Sequence, residues 1–335
     1  MKRIGNVVGA VFYFRALTEA AYRAFRANRD NADALRFMHR LEPEILQLQR
    51  ELESGVYQPG AYHTFTIWEP KERHIAAAPF RDRVVHHSVC AVLEPVFEQR
   101  YIYDSYACRT DKGSHRAIER AVRFARGHRY FLKCDVRKYF ASMDHDVLKG
   151  LLRRLFKDRD FLALLGRIID HNAPPNDPGK GVPIGNLTSQ HFANLYLDPL
   201  DHFVKEVLRV RGYVRYMDDF LCFADSKDEL HGAQDEVRDF LRGRLKLELK
   251  DNKCYVAPVS QGIPFLGFRI FPGTIRLARA SLVRCRRKLK SREQAFADGS
   301  LSEEKLLQSA GSLFAHISHG DTRSLRRTWF AANGG

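Results

Sequence analysis

Two adjacent carboxylates, Asp218 and Asp219, stand inside a stretch that is apolar apart from them and Arg215, Val214-Arg215-Tyr216-Met217-Asp218-Asp219-Phe220-Leu221-Cys222-Phe223. Ionised acids in such surroundings are costly unless they are paired or bound to metal. An Asp-Asp pair alone arises by chance in a chain of this size and is commonly a solvated turn, although such turns more often use Gly or Asn. A third acid, Asp135, ends a separate apolar run, Tyr130-Phe131-Leu132-Lys133-Cys134-Asp135. Three converging carboxylates can hold two divalent ions about 3.5–4 Å apart, the arrangement that in-line phosphoryl transfer uses. Oxygen-only ligands that leave waters in place select Mg2+, with Mn2+ able to substitute.

The flanking segments indicate what would position these acids. Residues 213–223 are expected to form a β-hairpin with the acids at its bend, and 130–136 a strand. Apolar residues at 35, 37, 41, 45, 48 and 52 predict one or two amphipathic helices within 15–53. Residues 62–68 read as a strand, 69–75 as a charged turn into a second strand, and 82–97 as a helix. Ser142 or Asp144 is placed to cap a helix running to about Phe156. The Pro-, Gly- and Asn-rich stretch 172–187 is a predicted loop. A helix from about Thr188 is expected to break before Pro199 and restart with Asp198 as its cap. Residues 245–249 alternate as a strand, 263–268 form a short apolar element, and 276–335 are helical and basic. Alternating helix and strand periods without repeats indicate a mixed α/β or α+β fold.

Composition narrows the partners. Lys and Arg number 55 against 40 Asp and Glu, a formal charge of +15, which favours a polyanion: nucleic acid first, an acidic membrane surface second. No run approaches the roughly 20 apolar residues that cross a bilayer, and the opening residues lack a signal-peptide core, so a cytoplasmic location with no membrane partner is expected. The six cysteines are widely separated and suit reduced thiols rather than a zinc ribbon. His86-His87 lack a Cys or carboxylate at ligand spacing.

Taken in order, several short blocks resemble reverse transcriptases. They are Pro70-Lys71-Glu72-Arg73 with Pro79-Phe80-Arg81-Asp82-Arg83; Tyr106-Ala107-Cys108-Arg109; Asp135 followed by Tyr139-Phe140-Ala141-Ser142; Ile184-Gly185-Asn186-Leu187-Thr188-Ser189-Gln190; Tyr216-Met217-Asp218-Asp219; Lys253; and Phe265-Leu266-Gly267-Phe268. Group II intron enzymes carry Gln-Gly-x-x-x-Ser-Pro in the fourth block. Here it is Ile184-Gly185-x-x-x-Ser189-Gln190, which looks like the reverse transcriptases of diversity-generating retroelements. That resemblance implies copying of an RNA template into cDNA with frequent errors opposite adenine, a basic oligomeric accessory protein, and diversification of a target gene by mutagenic retrohoming.

The resemblance also assigns residues. Asp135, Val136, Asp218 and Asp219 would contact the two Mg2+ ions, and Lys253 would protonate the departing pyrophosphate; a surface lysine is the plainer alternative. Lys71, Arg73, Phe140, Ile184, Gly185 and Gln190 would bind the deoxynucleoside triphosphate, with Phe140 excluding a 2′-hydroxyl unless it, rather than Tyr139, is core. Arg81, Arg109, Tyr216, Met217, Arg284 and Arg287 would hold template and primer. Ile184 replaces an amide, so weaker polar readout there is expected to lower fidelity.

The implied architecture is a right-hand polymerase. N-terminal helices and fingers would occupy 1–130, a palm of antiparallel sheet plus helices 131–274 (part of 150–187 packing with the fingers), and a basic helical thumb 275–335. No maturase or endonuclease domain is expected after Gly335. The alternatives left open are a group II intron-like or antiviral-defence reverse transcriptase and, outside enzymes, an RNA-binding scaffold.

Overall fold

The apolar period of the N-terminal region closes into three helices, Phe14–Arg26, Ala32–His39 and Leu41–Glu53, in the computed structural model, which describes residues 2–68, 72–171 and 177–331. Asn31 starts the second of these because its side-chain oxygen accepts from the amides of Asp33 and Ala34, at 3.0 and 3.1 Å. Phe37, Ile45, Leu48 and Leu52 are buried; Leu35 is 49% exposed, since the inner face of its short helix is Ala34 and Phe37.

The chain divides into two units. The first holds residues 1–103, 136–203 and 236–250. In it the N-terminal helices pack on the helix Phe80–Glu98, with Phe37 and Phe80 edge to face at 5.3 Å. Strands β1 (His63–Ile67) and β2 (Arg73–Ala77) pair antiparallel, Ile67 opposite Arg73. The helix His145–Leu155 is capped by Asp144, whose Oδ1 accepts from Val147 N at 3.0 Å while Oδ2 accepts from Lys246 Nζ at 2.7 Å.

Two expectations are corrected there. The helix Leu187–His202 runs through Pro199 without a break, because Asp198 is not its cap: its buried carboxylate accepts from the Arg100 guanidinium at 3.0 Å, and His202 reaches the Arg100 carbonyl, so side chains on both flanks hold the turn that Pro199 leaves short of one hydrogen bond. Residues 245–249 are not a strand. A helix, Lys227–Leu245, occupies the preceding stretch, and only Leu249 makes a bridge, to Val136, although Leu245, Leu247 and Leu249 are buried in alternation. Alternating burial needs only an extended segment with one apolar side, not a ladder.

The second unit holds residues 104–135, 204–235 and 251–335. Its main sheet contains β3 (Tyr130–Asp135), β4 (Gly212–Tyr216), β5 (Asp219–Ala224) and β6 (Tyr255–Pro258) in the order β4-β5-β3-β6, all neighbours antiparallel. A smaller sheet comprises β7 (Ile263–Phe265), β8 (Phe268–Ile270) and β9 (Ile275–Leu277). The hairpin between β7 and β8 turns on Leu266 and Gly267, both at positive φ, 48° and 86°, as the primed two-residue turns require. One face of the main sheet carries Val214, Leu221, Phe223 and Phe131, which join Ile118, Ala121 and Val122 of the helix Ser114–Gly127 and Phe265 and Phe268 in one core. The helices Arg279–Ala297, Glu303–Ser318 and Arg323–Ala331 complete the unit. No helix among the described residues is long and apolar enough to cross a membrane.

Candidate active site

Register places the acids. Along β3 and β5 the residues on the core-bearing face alternate with those behind. Phe131 pairs with Phe223, Lys133 with Leu221, and Asp135 with Asp219. The apolar face therefore ends in two opposed carboxylates, and Asp218 occupies the turn that joins β4 to β5. All three acids are half-buried. Burial pushes the Asp219 carboxyl up to about 6; the Lys133 ammonium opposes the rise, while the charges of Asp135 and Asp218 add to it.

The turn is tightly held. Met217 sits at φ 54°, uncommon for a residue with a side chain. Its carbonyl accepts from Nη1 of Arg215 at 3.1 Å, and Arg215 is fully buried on the opposite face of β4. The segment around Ser105 lies beside β4, Arg215 N donating to Asp104 O at 2.9 Å and Tyr106 N to Arg215 O at 3.0 Å. Asp104 in turn accepts from Arg120 at 2.7 Å. Tyr216 is half-buried, packed against the core.

Of the remaining expected residues of this unit, Lys253 lies on a turn packed beside β3, and the others stand on separate elements. Arg109 donates to Ser105 O at 2.8 Å, which braces its own loop. Lys253 is exposed on a single turn, Asp251–Lys253, just before β6. On the helix Arg279–Ala297, Arg287 is exposed and half-buried Arg284 donates to Ser281 Oγ at 3.2 Å.

The first unit gathers most of the residues expected at the nucleotide. Val182 N donates to Phe140 O and Ala76 N to Ile184 O, both at 2.9 Å, so the Phe140 turn, the Ile184-Gly185 turn and β2, which begins at Arg73, form one continuous array. Gly185 has φ 119°, and a Cβ there would come within 2.8 Å of Ile75 Cγ2, so both conformation and space demand glycine. Gln190 is exposed on the first turn of the helix Leu187–His202, which starts after Asn186, while Thr188 and Ser189 on the same turn are buried. Phe140 is half-buried, whereas its neighbour Tyr139 is core, its hydroxyl bonded to Ala193 O. Arg81 forms an ion pair with Glu51 and lies 5.5 Å over the Tyr57 ring. Val136 is buried. Lys71 lies outside the described residues.

Lys133 escaped the sequence reading. Its Nζ donates to Asp219 Oδ1 at 2.5 Å. The signal was present: a lone cation in an apolar strand, two positions before Asp135 and hence on the same face. Asp135, Asp218 and Asp219 are an all-oxygen donor set suited to a hard divalent ion. Yet among the described residues no three His, Cys, Asp or Glu side chains stand together as a ready metal cage.

Carboxylates at the tip of a β-hairpin and at the end of the strand beside it, on a mixed helix-and-sheet chain, define a right-hand nucleic-acid polymerase fold. Solved structures share it: telomerase of Candida tropicalis with a TWJ fragment of telomeric RNA matches with a TM-score of 0.52 at 12% identity, over 82% of this chain and 55% of that one. The corresponding Candida albicans telomerase matches at 0.50 and 15% identity, over 78% and 57%. The reverse transcriptase (RNA-dependent DNA polymerase) family model matches residues 69–270, and the chain belongs to that family. Among curated relatives, Protein YkfC of Escherichia coli (strain K12) is 28% identical over 72% of this chain and 74% of its own length. The group II intron-encoded protein LtrA of Lactococcus lactis subsp. cremoris is 23% identical over 75% of this chain and 53% of its own. The chain thus spans about half the length of LtrA and of the telomerases.

Proposed function

We propose that this chain synthesises DNA on an RNA template from deoxynucleoside triphosphates, with Asp135, Asp218 and Asp219 as the carboxylates of its catalytic centre. The observation that carries this reading is the β3–β5 register, which sets Asp135 opposite Asp219 with Asp218 at the adjoining turn. Mg2+ ions bound by these acids would make the primer 3′-hydroxyl more acidic, so that it gives up its proton more readily on attack, and would neutralise charge on the triphosphate. The chain's own contributions are then specific. Asp135 and Asp218 present oxygens from two different strands' ends, Arg215 holds the turn that aims Asp218, Phe140 excludes the 2′-hydroxyl, and Lys253 gives a proton to the leaving pyrophosphate. The fingers, palm and thumb divide near residues 130 and 274 on this reading.

The finer reading is a reverse transcriptase of a diversity-generating retroelement, error-prone at template adenines and working with a basic oligomeric accessory protein. Ile184-Gly185-x-x-x-Ser189-Gln190 supports it. The group II intron-like reading is favoured by LtrA among the relatives. Primer extension on a defined RNA template in Mg2+, followed by sequencing of the product, tests both levels. DNA synthesis with substitutions concentrated opposite adenine is the expected result. Faithful synthesis would favour the intron-like reading, and RNA binding without synthesis would leave the scaffold reading standing.

A further inference from the structure

Lys133 is placed where a polymerase acid cluster would ordinarily need a metal ion. It sits in the interior of β3, its side chain only 9% exposed, and its Nζ donates to Asp219 Oδ1 at 2.5 Å; the Asp219 side chain is 24% exposed. The ammonium also lies 5.7 Å over the ring of Phe265, the first residue of the Phe265-Leu266-Gly267-Phe268 block, so that block supplies an aromatic face behind a buried cation. Lys133 pairs with Leu221, so on its face of the sheet it is the diagonal neighbour of Asp219 and shares that face with Asp135. Among the described residues no three His, Cys, Asp or Glu side chains form a ready three-ligand cage.

We propose that Lys133 is a positioning residue that acts as the resident counter-cation of Asp219 and competes with divalent ions for its carboxylate. Three carboxylates at one sheet edge repel one another, and a buried cation on one of them removes much of that repulsion before any ion binds. Metal then reaches the cluster in competition with that ion pair. Asp219 joins only by leaving Lys133, and the phenyl ring of Phe265 keeps the released ammonium from swinging away.

The inference rests on Asp135 and Asp218 being metal ligands, and its test separates the two ideas. Mn2+ binding to the full purified chain is measured by titration calorimetry, and thermal unfolding is followed with EDTA and with Mn2+, for wild type, Lys133→Met, Lys133→Arg, Asp219→Asn, the Lys133→Met/Asp219→Asn double variant and Asp135→Asn. Lys133→Met is expected to bind Mn2+ at least about fivefold more tightly than wild type, in line with ordinary coupling strengths. Its metal-free melting temperature should fall and recover with Mn2+, and Lys133→Arg should behave as wild type. In the Asp219→Asn background both effects of Lys133→Met should largely vanish. Unchanged Mn2+ affinity in Lys133→Met, or a gain undiminished without the Asp219 carboxylate, would overturn the competition. Unchanged affinity in Asp135→Asn would instead overturn the metal-site reading beneath it. If Lys133→Met fails to fold, Lys133→Gln, which also removes the charge while leaving Asp219 intact, takes its place with the same expected and contradicting results.

Discussion

Single residues in this chain carry distinct physical obligations. Gly185 combines φ 119° with a Cβ position 2.8 Å from Ile75 Cγ2, so Gly185→Ala should lower unfolding free energy by about 1–3 kcal/mol in urea titrations; a neutral effect would mean that the turn relaxes freely. Phe140, half-buried beside fully packed Tyr139, is the proposed sugar gate. Phe140→Ala should raise ribonucleotide incorporation, and unaltered sugar discrimination in competition assays would count against the gate. Ile184→Gln should shift the error spectrum at template adenines. His86 is fully buried, its Nε2 has no hydrogen-bond partner among the described residues, and burial pushes its pKa down to about 3. The unfolded chain takes up this proton near pH 6.5 while the folded one resists it until about pH 3. Stability from this group is therefore complete above about pH 6.5 and falls by about 1.4 kcal/mol per pH unit below it. Urea unfolding at pH 7, 6 and 5 isolates this group as the difference between wild type and His86→Phe, since the raised Asp219 carboxyl contributes a slope of opposite sign below about pH 6; that difference should fall with pH as stated, and a constant difference would contradict it.

At the scale of elements, the helix His145–Leu155 starts at Asp144 because one carboxylate oxygen serves Val147 N and the other serves Lys246. Asp144→Ala should cost about 1 kcal/mol through the cap alone; an equal loss in Asp144→Ala and Lys246→Ala would show that the ion pair, not the cap, dominates. Elements specified by local signals were legible in the sequence. The hairpin that carries Asp218 and Asp219, the strand ending in Asp135 and the Asp144 cap all announce themselves through period, apolar content or cap chemistry. Elements decided by distant partners were not. Pro199 looks like a helix break until Arg100 is seen to take Asp198, and 245–249 looks like a strand because buried alternation does not say whether a ladder partner exists. At the candidate site, residue type and spacing were enough to single out the three acids that strand register brings together. Lys133 and Arg215 were passed over because a cation in an apolar strand reveals its role only once register shows which carboxylate or carbonyl it meets.

The whole molecule carries a formal charge of +15, which suits a polyanionic partner and makes its grip sensitive to salt. Exposed Arg287 and half-buried Arg284 lie on the helix Arg279–Ala297. If they track phosphates, replacing each by Ala should reduce the slope of log affinity against log salt by about 0.7–0.9 for every phosphate no longer neutralised, with Arg287 the larger effect because Arg284 is partly occupied by Ser281. Filter-binding isotherms on a primer–template across a salt series provide the slope, and an unchanged slope in Arg287→Ala would remove that helix from the nucleic-acid path. The central claim, however, concerns three acids. Its most direct test is single-turnover extension of a DNA primer on an RNA template in Mg2+ by wild type and by Asp218→Asn, with unfolding midpoints confirming that both are folded. Extension by wild type and a loss of at least about a thousandfold in the variant is the expected result; a folded Asp218→Asn enzyme that extends at the wild-type rate would contradict the account.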